Sequence, residues 1–131
     1  MTDTEVKDDR QYSKDHEWIK TEGDIVVVGI TDFAQNSLHE ITFVVISEVG
    51  TSLEANGECG LVESMKASSD IFAPISGEIV EVNSELEDSP EIVNEDPYGK
   101  GWMFKLKPSN LDADLAGLMD AAAYKEFIES L

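Results

Sequence analysis

The strongest constraint on the fold lies between Gly60 and Val82. Two strand-like runs flank Lys66 there, and the Pro/Gly-marked turn Ala73-Pro74-Ile75-Ser76-Gly77 leads into a third run, residues 77–82. Short apolar runs broken by turn residues predict hairpins. The pattern recurs along the chain. Trp18 and Ile19 begin a first strand, and Glu22-Gly23-Asp24 turns it into Ile25–Val28 with Ile30. That second run is β-branched and apolar on both faces, which predicts a central strand. Ile41–Ile46 follows, with Ile41, Phe43 and Val45 expected on one side. Val49-Gly50 and Glu54–Gly57 supply further turns, and residues 102–107 alternate so that Trp102, Phe104 and Leu106 are expected to face inward.

Helical signals are short and peripheral. Asp32 is expected to cap a helix over residues 33–38, with Gln35 reaching back. Residues 83–87 offer a second capping pattern that Pro90 limits to about one turn, and residues 94–101 read as a loop. The tail changes period: Leu111, Leu115, Leu118 and Ala122, then Tyr124, Phe127, Ile128 and Leu131, follow helical spacing, with Asp120 as cap of the second of two short helices. The expected fold is therefore mainly β with peripheral α, a sandwich or flattened barrel. No linker divides the 131 residues, so one domain is expected, flexible over 1–11 and helical over 111–131.

Charge narrows the function. Nine basic against 28 acidic residues give a net charge of −19. Nothing here releases counterions from nucleic acid or an anionic membrane. Solubility, basic patches on partner proteins and life in high salt all suit such a surface. The one cysteine, Cys59, excludes an intramolecular disulfide and reads as a small buried hydrophobe. No apolar stretch is long enough to span a bilayer. Residues 1–10 lack the pattern of a secretion or transit peptide, so a cytoplasmic protein is expected. Two histidines, His16 and His39, make a His-rich zinc site implausible, and no Gly-rich phosphate loop or Cys-x-x-Cys is present. Carboxylate pairs abound, but in so acidic a chain their coincidence carries no information.

What remains is Glu63-Ser64-Met65-Lys66-Ala67. Lys66 is the only Lys or Arg from Thr21 through Gly99. It reads either as one more solvated lysine or as an attachment point on a protruding turn. Acylation would remove its charge and make its stem a flexible tether, raising the effective concentration of a carried group at a docked partner. Spacing alone leaves both readings open.

Residues 63–83, with Lys66 near their start, resemble the lipoylation segment of the glycine cleavage system H proteins. Residues 12–18, 28–35, 89–94, 96–99 and 101–102 resemble further segments of that family, in the same order. A biotin carrier is similar only in the hairpin and typically has Ala-Met-Lys-Met there. The resemblance implies a flattened barrel of two small β-sheets and a lipoyl group in amide linkage to Lys66. It also implies a non-catalytic carrier. In the family, a pyridoxal-phosphate glycine decarboxylase loads an aminomethyl group, an aminomethyltransferase passes the carbon to tetrahydrofolate, and dihydrolipoamide dehydrogenase reoxidises the dithiol. A lipoylating enzyme is a further implied partner, and a monomer is expected.

By position, Glu17 and Asp70 match residues that line the family's arm cleft, where a carboxylate can pair with an amine cation; simple solvation is the alternative for each. Two positions depart. The family usually has Leu-Gly-Asp or Leu-Gly-Glu where this chain has Leu38-His39-Glu40, and a glycine there marks positive φ or close approach. Some relatives carry His at the position of Ser37. Lipoate carriers serving lipoate transfer or sulfur oxidation are thus an alternative within the fold. A non-lipoylated acidic interaction module is the alternative outside it.

Overall fold

The computed structural model describes residues 4–131. Nine strands and five short helices follow one another among them: β1 (Gln11–Tyr12), β2 (Glu17–Glu22), β3 (Ile25–Ile30), α1 (Asp32–Leu38), β4 (Ile41–Ile46), β5 (Ser52–Leu53), β6 (Glu58–Ser64), β7 (Ser68–Phe72), β8 (Gly77–Val82), α2 (Glu85–Asp88), α3 (Ile92–Glu95), β9 (Phe104–Pro108), α4 (Leu111–Leu115) and α5 (Ala121–Glu129). A six-stranded sheet has the order β1-β2-β3-β9-β8-β5, and a three-stranded sheet the order β4-β6-β7. All pairings are antiparallel. The expected flattened barrel-sandwich is the observed class.

The main core sits between the sheets. Val26, Val28, Ile79, Phe104 and Leu106 of the larger sheet belong to one buried cluster with Ile41, Val44, Cys59, Val62 and Ile71 of the smaller. A second cluster, with Tyr12, Trp18, Val27, Tyr98, Tyr124 and Ile128, covers the other face of the large sheet. This explains why β3 is apolar on both sides: α5 and the aromatics cover the face that the small sheet does not. Cys59 is 1% exposed, and burial pushes its thiol up to about 12, as suits a small hydrophobe.

Several expectations need correction. Thr31, not Asp32, caps α1: its Oγ1 accepts from the Ala34 N–H at 3.2 Å, while Asp32 accepts from Gln35 Nε2 at 2.6 Å. In β4 only Ile41 faces the core as expected. A register shift between Ile41 and Phe43 turns Val44 inward and leaves Phe43 and Val45 half exposed, because a bulge inverts the alternation beyond it. At β9, Phe104 and Leu106 are buried, but Met103 is fully buried and Trp102 only partly. Ala121 rather than Ala122 faces inward, and Leu131 is exposed. Asp120 caps α5 as expected, accepting from the Ala123 N–H at 2.8 Å.

Of the 1–11 segment, residues 1–3 lie outside the described residues. Beyond them, the Glu5 N–H donates to Asp32 Oδ2 at 2.9 Å. Buried Arg10 lies over the rings of Trp18 (4.6 Å) and Tyr98 (5.2 Å) and donates to the Tyr98 carbonyl. Among the described residues no helix is long and apolar enough to cross a membrane.

Candidate functional site

Lys66 stands at the tip of the β6–β7 hairpin. Glu63 pairs with Ser68, leaving Ser64–Ala67 as the turn, which the Ser64 N–H closes on the Ala67 carbonyl at 2.8 Å. Neither Met65 nor Lys66 has positive φ, so the tip lacks the mirror-image backbone that two-residue hairpin loops favour. The Ser64 hydroxyl compensates. Its Oγ accepts from the N–H of Lys66 at 3.2 Å and of Ala67 at 3.1 Å and donates to the Ala67 carbonyl at 3.1 Å, which uses its full hydrogen-bonding capacity. The Met65 N–H reaches the Glu40 carbonyl at 3.3 Å, tying the tip to the segment between α1 and β4. The backbone is held on both sides while the Met65, Lys66 and Ala67 side chains face solvent and Glu63 is half-buried.

Lys66 takes part in none of the ion pairs among the described residues. Its polar neighbour is His39, whose Nε2 lies 3.5 Å from Nζ. Here the departure noted in the sequence has a concrete outcome. His39 is the C-cap of α1 with φ 66 and ψ −146, so it keeps the positive φ that a glycine would adopt without strain. Ser37, two residues earlier on α1, is exposed.

Glu17 and Asp70 are brought near one strand but into different surroundings. Glu17, at the start of β2, is 2% exposed. Its Oε1 accepts from Ser13 Oγ at 2.6 Å and its Oε2 from the Phe72 N–H at 3.2 Å. Burial pushes its carboxyl up from 4.5 to about 7, and those two hydrogen bonds pull part of the way back. Glu17 thereby ties the large sheet to β7. Asp70, two residues before Phe72 on β7, is exposed and lines an open groove of about 370 Å³ with Val45, Ile46, Glu58 and Leu61.

Two residues at the site escaped sequence reasoning. Asn94 donates to the His39 carbonyl at 2.7 Å and to Gln35 Oε1 at 2.9 Å, and accepts from the Ile41 N–H at 2.9 Å. Its only signal was its place in a family-like segment. Ser13, four residues before Glu17, had only the same signal, its place in residues 12–18. No cluster of His, Cys, Asp or Glu able to hold a metal occurs among the described residues. The geometry is that of an exposed amine on a fixed turn, suited to being approached and acylated.

Comparison with known proteins agrees over nearly the whole length. The profile of the family described as "Glycine cleavage H-protein" matches residues 10–131. A glycine cleavage system H protein of Thermus thermophilus is 52% identical over 126 residues, spanning 96% of this chain and 98% of that one. One from Symbiobacterium thermophilum is 54% identical over 122 residues, spanning 93% and 94%. The crystal structure of a glycine cleavage system H protein from Mycobacterium marinum superposes with a TM-score of 0.86 at 40% identity, covering 96% of this chain and all of that one. None of these favours a lipoate carrier of another pathway.

Proposed function

This chain belongs to the glycine cleavage H-protein family, and we propose that within it Lys66 carries lipoate as an amide. Membership makes it a carrier component of glycine cleavage. The observation that supports Lys66 is its place: an exposed amine, in no ion pair among the described residues, on a turn fixed by Ser64 and by the Met65–Glu40 bond. Those residues fit the group, since amide formation needs a reachable amine and tolerates loss of a charge that pairs with no carboxylate here.

Bound there, lipoate supplies a disulfide that takes up an aminomethyl unit together with two electrons. The chain itself binds and presents. The β6–β7 ladder keeps the tip in one place while the lysine stem swings, which holds the load at high effective concentration beside a docked enzyme. Asp70 offers an exposed carboxylate to an amine cation close to the hairpin. Glu17 acts from beneath, holding the backbone of β7 through Phe72, His39 borders the tip from the C-cap of α1, and exposed Ser37 is the further residue assigned to the arm's surroundings. Glu63, Ser64, Met65 and Ala67 form the surface that a lipoylating enzyme reads. The partners that meet this surface in turn are glycine decarboxylase, the aminomethyltransferase and dihydrolipoamide dehydrogenase. The chain brings no catalytic residue of its own and works as a single domain in the cytoplasm.

The test is intact mass after incubation with lipoate, ATP and a lipoate–protein ligase. One lipoyl amide is expected on the wild type and none on Lys66→Arg; an unmodified wild type, or a modified Lys66→Arg, overturns the assignment. Fully lipoylated protein should then support glycine–bicarbonate exchange by glycine decarboxylase. A lack of exchange would move the carrier to another pathway.

A further inference from the structure

His39 pairs a backbone that disfavours it with a side chain aimed at the key lysine. Its φ of 66 and ψ of −146 fall where an L side chain is strained, and such residues persist only when their surroundings over-determine them. The surroundings do so here. The His39 N–H donates to the Gln35 carbonyl at 2.9 Å. Asn94 takes the His39 carbonyl at 2.7 Å and the Ile41 N–H at 2.9 Å. The intervening Glu40 carbonyl receives the Met65 N–H from the hairpin. Glycine at position 39 would satisfy every one of these backbone bonds without strain. What histidine adds is an imidazole whose Nε2 lies 3.5 Å from Lys66 Nζ.

We propose that His39 orients Lys66 for acylation: Nε2 accepts a hydrogen bond from the amine and holds it over the corner between α1 and β4. The inference rests on the reading of Lys66 as the lipoyl attachment site. In the acylation, the ammonium first loses a proton to solvent. The amine nitrogen then attacks the carbonyl carbon of an acyl adenylate. The N–C bond forms, the C–O bond to phosphate breaks and AMP leaves with the electron pair, while the nitrogen sheds its remaining extra proton to water. A directed acceptor limits the orientations of an otherwise free amine, and orientation is worth rate when the donor is held by a second protein.

The assay is the rate of lipoyl transfer from preformed ligase-bound lipoyl adenylate to this chain, followed by intact mass with the chain's concentration varied. In His39→Gly, the maximal transfer rate should fall by about fivefold, the worth of one exposed hydrogen bond, with the half-saturating concentration unchanged. His39→Gln, which restores an acceptor of similar reach on the same strained backbone, should recover most of the rate. His39→Gly should melt no lower than the wild type because it relieves strain, so a slow variant is not a misfolded one. A wild-type rate in His39→Gly overturns the inference. So does His39→Gln as slow as His39→Gly, or a loss confined to the half-saturating concentration, since either assigns the effect to surface shape. If the wild type itself takes no lipoyl group, the Lys66 reading fails and this inference with it; a normal His39→Gly sinks this inference alone.

Discussion

Replacing Glu17 by glutamine should destabilise this protein at low pH and stabilise it at high pH. The Glu17 carboxyl is buried, and its ionisation is held off until about 7 instead of 4.5. That displacement costs the ionised native state about 3 kcal/mol. Its folded value lies above its unfolded one, so its contribution is full below 4.5, declines as pH rises, and is gone above about 7. Glutamine resembles the protonated carboxyl. Its carbonyl can take the Phe72 N–H, but its amide cannot accept from Ser13 Oγ, which already receives the N–H groups of Asp15 and Glu17. Losing that one bond costs about 1 kcal/mol. Glu17→Gln should therefore be less stable than wild type by about 1 kcal/mol below about pH 4, nearly equal to it near pH 5, and more stable by about 2 kcal/mol near pH 9. Urea unfolding of both proteins across this range reads the difference directly. The comparison also cancels His16, whose value burial lowers and whose contribution therefore runs the other way, lost as pH falls. Parallel stability curves for the two proteins would refute the burial argument. A variant weaker at every pH would show that the Ser13 and Phe72 bonds outweigh desolvation.

Two other substitutions test the frame around the site. A Cβ on Gly77 would lie 2.5 Å from the Lys107 carbonyl oxygen and 3.1 Å from Pro108 Cα, both backbone atoms of the paired strand. Gly77→Ala must therefore push β8 from β9 and lower stability by about 2–3 kcal/mol, and an unchanged melting temperature would contradict that contact. Thr31 Oγ1 both caps α1 and meets the Tyr124 hydroxyl at 2.7 Å. Thr31→Val should cost about 1–2 kcal/mol in urea unfolding and speed amide exchange of Ala34, whereas protected exchange would place the cap elsewhere.

The strands were legible where one rule governed a whole run. Ile25–Ile30 read as central because it is apolar on both faces, and it lies between β2 and β9 with cover on each side. Asp120 was legible as a cap because capping is local. The errors fall where a distant partner decides. Alternation put Phe43 and Val45 with Ile41, but the bulge that turns them out is set by pairing with the distant strand β6. Met103 outranks Trp102 in burial because its N–H is taken by the Val28 carbonyl at 2.8 Å, across the sheet. At the site, Lys66 stood out by isolation and by the resemblance around it. Ser64, which holds the turn from within, lies in that motif, but the tie from Glu40 and, one step further back, the anchoring by Asn94 did not stand out, because they come from distant segments. The anomaly at His39 was visible as a departure from a pattern, but only the fold brings its ring to the lysine.

The place of β9 between β3 and β8 sets an order of events during synthesis. The strand that joins the two halves of the larger sheet is the last of the nine described strands to leave the ribosome. Until Phe104–Pro108 emerges, Ile25–Ile30 has one open, β-branched edge, the kind of template on which nascent chains pair with one another. The smaller sheet has no such wait. Its strands all lie within residues 41–72, and closing short loops costs little entropy. The lysine-bearing hairpin can thus form on a half-made chain, while the hazard of aggregation during translation rests with β3.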